Sequence, residues 1–180
     1  AENGSSRSYT ELAKNGNQPV AAKIPSFMIK HNIPGVSVAL SKDEEIVYTA
    51  AYGYADKETK ERVTSDHMFR LASMSKQHTA IGIMKLVEQG HLKLTDTVFG
   101  KEGVLYNAYG DNMGSDWKAI TIDQLLSHTS GILTEGFFGA GSAFSGKNLD
   151  ERIATLLSKG EVKWAPGAVY EYNNSNFAIL

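Results

Sequence analysis

The 180-residue chain contains no cysteine, and this absence removes several classes of chemistry at once. Without thiols there is no disulfide framework, no cysteine nucleophile and only a narrow choice of structural zinc sites. The absence leaves the cellular compartment open, because a chain without cysteine folds equally well inside and outside the cell.

The chain also lacks a block of like charge and a long apolar run. The formal net charge is −2, so we expect no nucleic-acid partner and no binding to an anionic membrane surface. No apolar stretch approaches the ~18 to 20 residues of a transmembrane helix. The hydrophobic content of 42% and the charged content of 21% are typical of a globular protein.

The first residues of the chain are polar, and we expect a loose N-terminal arm over residues 1–18. The chain begins with Ala1 rather than methionine, which is typical of a processed polypeptide. The expected location is therefore the periplasm or the outside of the cell.

Residues 19–61 have the pattern of the start of a sheet domain. A helix is predicted over 19–33, although Pro25 fits only the first turn of a helix. Two strands are predicted at 35–41 and 45–54, with a polar turn between them that indicates a hairpin. No third strand is predicted after Tyr54, and an antiparallel sheet of two strands is incomplete.

Residues 62–180 are predicted to be mostly helical, so the fold class is α+β. A loop rich in glycine and asparagine is expected over about 100–118. Helix signals recur along this region: the apolar stripe Ala80, Ile83, Met84 and Val87 with a stop at Gly90, capping boxes at 121–124 and 148–151, a stop at Lys159–Gly160, and an opening turn at 176–180.

The most specific chemical signal is the S-x-x-K spacing of Ser73 and Lys76 at the predicted start of a helix. Residues three apart share a helix face, so this spacing allows the hydroxyl and the amine to meet. A serine needs a partner that takes its proton before it attacks an acyl carbon, and this spacing provides one without histidine. Taken alone, the tetrapeptide is more often a helix cap followed by a solvated lysine.

Two further motifs follow the S-x-x-K run in a fixed order. The three stretches are residues 69–76 (FRLASMSK), 122–131 (IDQLLSHTSG) and 166–174 (PGAVYEYNN). Together they resemble the serine β-lactamase and DD-peptidase superfamily, in its class C-like branch, over about residues 20–180. Class C β-lactamases proper usually differ at 127–131, so the chain is more similar to the esterases and peptidases of that branch.

The resemblance implies a role for individual residues. Ser73 matches the acylated nucleophile, Lys76 its proton-accepting partner, Tyr172 a proton shuttle, and Asn174 a group that orients the substrate. The implied reaction is acyl transfer on a small-molecule substrate, namely a short ester, a D-amino-acid peptide or a β-lactam. No metal and no organic cofactor are expected.

The identity of the general base stays open between Lys76 and Tyr172. Free amines and phenols both have pKa values near ~10, so either group needs help from its surroundings. His128 is a tempting third choice, but a histidine at a helix end more often caps carbonyls, and we expect it to be structural.

Two other sets of residues invite a functional interpretation. We expect no metal site at His67, His78 and His91, because these histidines lack acidic partners at ligand spacing. The loop aromatics Phe137, Phe138 and Phe144 are compatible with an acyl pocket and equally with a surface loop.

One element of the resemblance has no counterpart in the printed sequence. The family carries a K-T-G or H-x-G triplet on a strand after Y-x-N, and no such triplet follows Asn174. That strand normally donates one oxyanion-hole amide, whose loss costs ~10²- to 10³-fold in rate. We therefore expect the chain to stop in mid-fold and to be a weak or inactive catalyst unless a second polypeptide completes it. The rival class is a catalytically silent protein that binds penicillins or cell-wall fragments.

Overall fold

The computed structural model describes residues 18–133 and 145–180. The chain divides into two compact units between Arg70 and Leu71. The domain boundary expected from the sequence lies earlier, between residues 61 and 62, and it stays a prediction. The expected polar arm, apart from residue 18, and the loop aromatics Phe137, Phe138 and Phe144 lie outside the described residues.

The first unit opens with a helix and an antiparallel hairpin. Helix α1 spans Gln18–His31, strand β1 Gly35–Lys42 and strand β2 Glu45–Asp56. The two turn residues between the strands, Asp43 and Glu44, both have positive φ, which is the turn geometry that suits the twist of a two-residue hairpin. The predicted hairpin is confirmed, with Lys42 paired to Glu45.

A third strand corrects the sequence-based expectation that none follows Tyr54. Strand β3, Glu61–Arg62, pairs antiparallel with the end of β2, so the sheet order is β1-β2-β3 and β1 lies at one edge of the described sheet. The connection is closed by Asp56, whose Oδ1 accepts the Glu58 and Thr59 amides at 2.7 and 3.3 Å. A strand of two residues has no alternation to detect, and for this reason the sequence pattern did not reveal it.

Helix α1 also departs from expectation, because Pro25 lies inside it rather than in its first turn. Proline in a helix interior removes one backbone hydrogen bond and crowds the preceding turn. Tertiary packing favours the helix here: Met28, three residues later, is buried, as are Tyr48 and Ala50 of β2 and Val63 beyond β3.

Helices supply most of the regular structure of the second unit, and the α+β fold class is confirmed. Its elements are a 3₁₀ turn at Ala72–Met74, the helices α2 (Ser75–Glu88), α3 (Tyr106–Tyr109), α4 (Ser115–Ala119), α5 (Ile122–Leu126), α6 (Leu149–Lys159) and α7 (Asn174–Ile179), and the paired short strands β4 (Ile132–Leu133) and β5 (Glu161–Val162). The two short helices α3 and α4 lie in the stretch expected to be a loop, and β4 and β5 are too short to show a period.

The predicted helix limits hold where a local motif sets them. Gly90 ends α2 with φ of +76°; its amide binds Val87 O and the His91 amide binds Leu86 O, which satisfies the last carbonyls of the helix. Both capping boxes form, with Thr121 at the start of α5 and Asn148 at the start of α6. The stripe predicted for α2 is only partly buried, since Ile83 is enclosed while Met84 is about half exposed.

The apolar core of the second unit gathers residues from most of its elements. Its buried members are Ile83, Val98, Phe99, Trp117, Ile120, Ile122, Leu125, Ile132, Ile153, Leu156 and Ile179. Phe99 and Trp117 meet edge to face with ring centroids 6.0 Å apart, a favoured aromatic geometry. This core fixes α2, α5, α6 and α7 against one another. In the described part of the chain, no helix is both long and apolar enough to cross a membrane.

Candidate active site

Ser73 lies in the 3₁₀ turn immediately before α2, not at the first residue of an α-helix as the sequence predicted. The preceding residue, Ala72, has a φ of +46°, which a residue with a side chain rarely adopts. The tight turn presents Ser73 as an exposed side chain at the start of the helix. Lys76 follows in the first turn of α2 and is half-buried.

The four residues named from the sequence lie together, in an arrangement that differs from the expected one. The Tyr172 hydroxyl donates to Ser73 Oγ at 2.8 Å, and Lys76 Nζ donates to Asn174 Oδ1 at 2.6 Å. Among the described residues, Ser73 Oγ and Lys76 Nζ thus form their side-chain hydrogen bonds with the Y-x-N residues and not with each other.

The Lys76 ammonium lies over two aromatic rings. Its Nζ is 4.8 Å from the ring centroid of Tyr172 and 5.7 Å from that of Phe177. Both distances are within the range of a cation–π contact, so the charge is held beside the phenol. Asn174 Oδ1 holds it from another direction.

The electrostatic effect on Tyr172 is to favour its phenolate. The Lys76 ammonium beside the phenol lowers the pKa of Tyr172 below its usual value, and the hydrogen bond with Ser73 lowers it further. Burial opposes the shift only weakly, because 48% of the Tyr172 side chain remains exposed. The Tyr172 hydroxyl therefore contacts Ser73 Oγ and also has a pKa below that of a free phenol.

The segment that carries Tyr172 is docked onto the residues that follow α5. The Lys163 amide binds Gly131 O at 2.9 Å, the Gly167 amide binds Thr129 O at 2.7 Å, and the Glu171 amide binds His128 O at 2.9 Å. We call residues 163–173 the tyrosine segment. The run 127–131, expected from the sequence to be structural, supplies the backbone acceptors that hold this segment.

Gly131 shows why this run needs a glycine at its end. Its φ is +78°, and an added Cβ would lie 2.0 Å from the carbonyl oxygen of Trp164, a separation that no side chain tolerates. The close approach lets the tyrosine segment pass directly over the backbone of 129–131. A larger residue there would push the segment, and Tyr172 with it, away from Ser73.

His128 is buried, with 8% of its surface exposed, but it does not cap carbonyls as expected. Its ring Nδ1 instead accepts the Asn173 backbone N–H at 3.1 Å and lies 3.3 Å from Asn176 Nδ2. Burial lowers the pKa of His128 below its usual value, and the nearby Lys76 charge lowers it further. Both effects favour the neutral ring, whose Nδ1 is occupied by the Asn173 N–H.

Buried amides around the site were missed by the sequence analysis. Asn176 is fully buried and accepts the Ser130 hydroxyl at 2.7 Å, while Asn173 Nδ2 donates to Ile132 O at 2.7 Å. These bonds tie α7 to Ser130 and the tyrosine segment to β4. The signal that was available is the run of polar residues at 173–176, directly before an apolar segment.

The described residues contain no group of three or more histidine, aspartate or glutamate side chains placed to hold a metal ion. The expectation that His67 lacks an acidic partner was nevertheless wrong. Its Nε2 lies 3.2 Å from Glu61 Oε1, while Nδ1 faces the Thr64 hydroxyl at 2.8 Å. This pair lies in the first unit.

Comparison with known proteins identifies the group to which this arrangement belongs. Residues 20–180 match the Beta-lactamase family. The chain belongs to that family. "Protein flp" of Staphylococcus aureus (strain COL) is 29% identical over 169 residues, which are 94% of this chain and 33% of the relative. "Esterase EstB" of Burkholderia gladioli is 30% identical over 155 residues, covering 80% of this chain and 38% of the relative.

Solved structures of the family share the fold. The octameric penicillin-binding protein homologue from Pyrococcus abyssi superposes with a TM-score of 0.69 and 28% sequence identity, over 89% of this chain and 36% of that one. The predicted superfamily and its fold are thereby confirmed. The chain spans about a third of the length of the curated relatives it matches first. None of these comparisons supports the alternative in which a second polypeptide completes the chain.

Proposed function

We propose that this chain carries the acylation site of a serine hydrolase, with Ser73 as the nucleophile. Tyr172 is the group that takes the proton from Ser73, Lys76 is the cation that makes Tyr172 acidic enough to do so, and Asn174 orients Lys76 and the substrate. The observation that carries the proposal is the 2.8 Å contact between Tyr172 Oη and Ser73 Oγ, with Lys76 against the same phenol.

The contact suits proton transfer in both directions. A hydroxyl oxygen can donate and accept, so on loss of the Tyr172 proton the Ser73 hydroxyl donates to the phenolate along the same line. The Ser73 proton then passes to Tyr172 as Oγ bonds to the acyl carbon. Tyr172 returns the proton to the leaving group as the bond to that group breaks. Water releases the acyl group by the same steps, again giving a proton to Tyr172, and Ser73 recovers its hydrogen.

The substrates proposed are small acyl compounds: short esters, D-amino-acid peptides and β-lactams. Ser73 and Tyr172 are exposed, so the reacting atoms are open to a ligand. Family membership and the esterase and penicillin-binding relatives favour acyl groups of this kind. Export to the periplasm or beyond is part of the same proposal, because cell-wall peptides and penicillins are met there.

The test is intact-protein mass spectrometry before and after incubation with a penicillin. We expect a mass gain equal to one penicillin on Ser73, and no gain in Ser73→Ala. Ser75→Ala is the matched control, because Ser75 is an exposed serine two residues further along that makes no recorded contact with Tyr172. An adduct that survives Ser73→Ala would overturn the proposal, as would a parent chain that forms no penicillin adduct and shows no Ser73-dependent ester hydrolysis.

The rival function is a silent binder of penicillins or cell-wall fragments, and turnover separates the two. A binder would be acylated or occupied once and then stop, whereas the proposed hydrolase releases product repeatedly from an activated ester. We expect several equivalents of p-nitrophenol per chain from p-nitrophenyl acetate, all lost in Ser73→Ala. A burst limited to one equivalent would favour the binder.

A further inference from the structure

His128 lies next to the candidate site, and its ring faces the backbone between Tyr172 and Asn174. Asn173 stands between Tyr172 and Asn174 in the chain, and its backbone N–H donates to His128 Nδ1 at 3.1 Å. Because Nδ1 accepts this bond, the proton of the neutral ring belongs on Nε2. The histidine thus contacts the backbone, and not the reacting atoms.

The ring also supports the aromatic side chains beside Lys76. Its centroid is 4.6 Å from that of Tyr172 and 5.1 Å from that of Phe177, and both rings are tilted by 39° against it. The backbone carbonyl of His128 accepts the Glu171 amide at 2.9 Å. A single residue therefore holds the tyrosine segment through its carbonyl, its ring nitrogen and its ring face.

We propose that His128 is a positioning residue, whose neutral ring fixes the Tyr172–Asn173 peptide and so sets the Tyr172 hydroxyl against Ser73 and the Asn174 amide against Lys76. The inference rests on the proposed function, and it adds an acid-sensitive element to it. A misplacement of the base by ~1 Å is enough to cost about 10²-fold in rate, so a hold of this kind matters for catalysis.

Protonation of His128 would break the hold. A charged imidazole carries N–H groups on both nitrogens, and Nδ1–H would then face the Asn173 N–H, donor against donor. The titratable groups around the ring are Lys76 on α2 and the phenols of Tyr170 and Tyr172 on the tyrosine segment, while α7 contributes the uncharged Phe177. The Lys76 charge and burial both oppose a second cation at this place.

The sign of the linkage follows from the lowered pKa. The folded chain binds the His128 proton less readily than the unfolded chain, whose histidine titrates near the ordinary value of 6.5. The stability that the neutral ring provides is complete above that value and is lost as the pH falls towards the folded pKa. The tyrosine segment is thus expected to loosen in acid.

Two substitutions of His128 separate the effect of the hydrogen-bond acceptor Nδ1 from the effect of side-chain size. His128→Asn keeps an acceptor near the place of Nδ1, does not titrate, and tolerates the positive φ of 58° at this position. His128→Leu has a similar size but no acceptor. His91→Asn is the matched control, since it removes one exposed histidine of the five at a site outside the cluster.

The experiment measures the pH dependence of ester hydrolysis, with circular dichroism at each pH to confirm the fold. For the parent and His91→Asn, log kcat should fall with a slope steeper than one over the acid range in which both His128 and the base take up a proton; for His128→Asn the slope should not exceed one. His128→Leu should lose about 10²-fold in kcat with KM changed less than about threefold, and His128→Asn should recover most of that loss. A folded His128→Leu with parental kcat, or the same acid slope in His128→Asn as in the parent, would overturn the proposal.

A measurement that needs no turnover separates this proposal from the proposed function. In ¹⁵N-histidine NMR spectra we expect His128 to carry its proton on Nε2, and the Asn173 amide signal to shift with the His128 titration. If the chain shows no Ser73-dependent hydrolysis but passes this test, the proposed function fails and the positioning role stands. A proton on Nδ1 in the neutral ring would contradict the positioning role even in an active enzyme.

Discussion

Replacing Lys76 by methionine should convert a reaction that runs at neutral pH into one that needs alkali. Methionine keeps a long apolar side chain but removes the ammonium that lies 4.8 Å from the Tyr172 ring and lowers the pKa of its hydroxyl. Without that charge, the pKa of Tyr172 should return towards the value of a free phenol. The Ser73 contact alone is a smaller influence on it.

The size of the effect follows from the ionised fraction of the phenol. With a pKa near ~10, about one Tyr172 in 10³ is a phenolate at about pH 7. If the parent is largely competent at that pH, Lys76→Met should be slower by up to ~10³-fold, or ~4 kcal/mol in activation free energy. The rate should then rise about tenfold for each unit of pH until the phenol is ionised.

The assay is the initial rate of p-nitrophenyl acetate hydrolysis from neutral pH to about pH 10, with the rate of Ser73→Ala subtracted at each pH. The matched control is Lys85→Met on the same helix. Lys85 forms an exposed pair with Glu88 at 3.1 Å, and such pairs contribute little, so its profile should match the parent. Thermal unfolding of both variants checks that the fold is intact.

Two outcomes would refute this reasoning. A folded Lys76→Met chain that is inactive at every pH would mean that the lysine itself takes the Ser73 proton, as the open alternative in the sequence analysis allowed. A Lys76→Met profile that coincides with the parent would mean that the ammonium has no influence on Tyr172.

Three further predictions concern single positions. Tyr172→Phe should lower kcat by at least ~10²-fold, and a rate within a few-fold of the parent would exclude Tyr172 as the base. The free energy of unfolding in urea should change by less than ~0.5 kcal/mol, because the hydroxyl is exposed. Gly131→Ala should cost more than ~2 kcal/mol in the same urea titration, since its Cβ would collide with Trp164 O, and a neutral result would contradict the close approach. Asn148→Ala should cost ~1 kcal/mol by removing the capping box with Glu151, with an unchanged urea midpoint as the contrary outcome.

Local structure was predictable wherever a few neighbouring residues determine it. Side chains within four residues of a helix end form the capping boxes at Thr121 and Asn148, and the positive φ of Gly90 sets the stop of α2. All three motifs form as expected. The hairpin between β1 and β2 was equally visible, because its alternating strands flank a short polar turn. Each of these motifs carries its own hydrogen bonds and needs little from the rest of the chain.

Elements that depend on distant packing were missed. Strands β3, β4 and β5 are two residues long each, and only their pairing makes them strands. Pro25 lies inside α1, although proline by itself disfavours that position. The 3₁₀ turn at Ala72–Met74 likewise departs from the α-helix that the local pattern predicts.

The sequence by itself determined which residues are chemically suited to acyl transfer: a serine and a lysine one turn apart, and a Y-x-N run far along the chain. Only the tertiary structure decided how they meet. Tyr172 is 99 residues from Ser73, and the hydroxyl contact exists because the tyrosine segment docks on residues 128–131. That docking depends on backbone carbonyls, on the absence of a side chain at Gly131 and on a neutral His128, none of which a local pattern expresses. Spacing along a helix put the serine and the lysine on one face, and packing within the unit placed a phenol at the serine and an amide at the lysine.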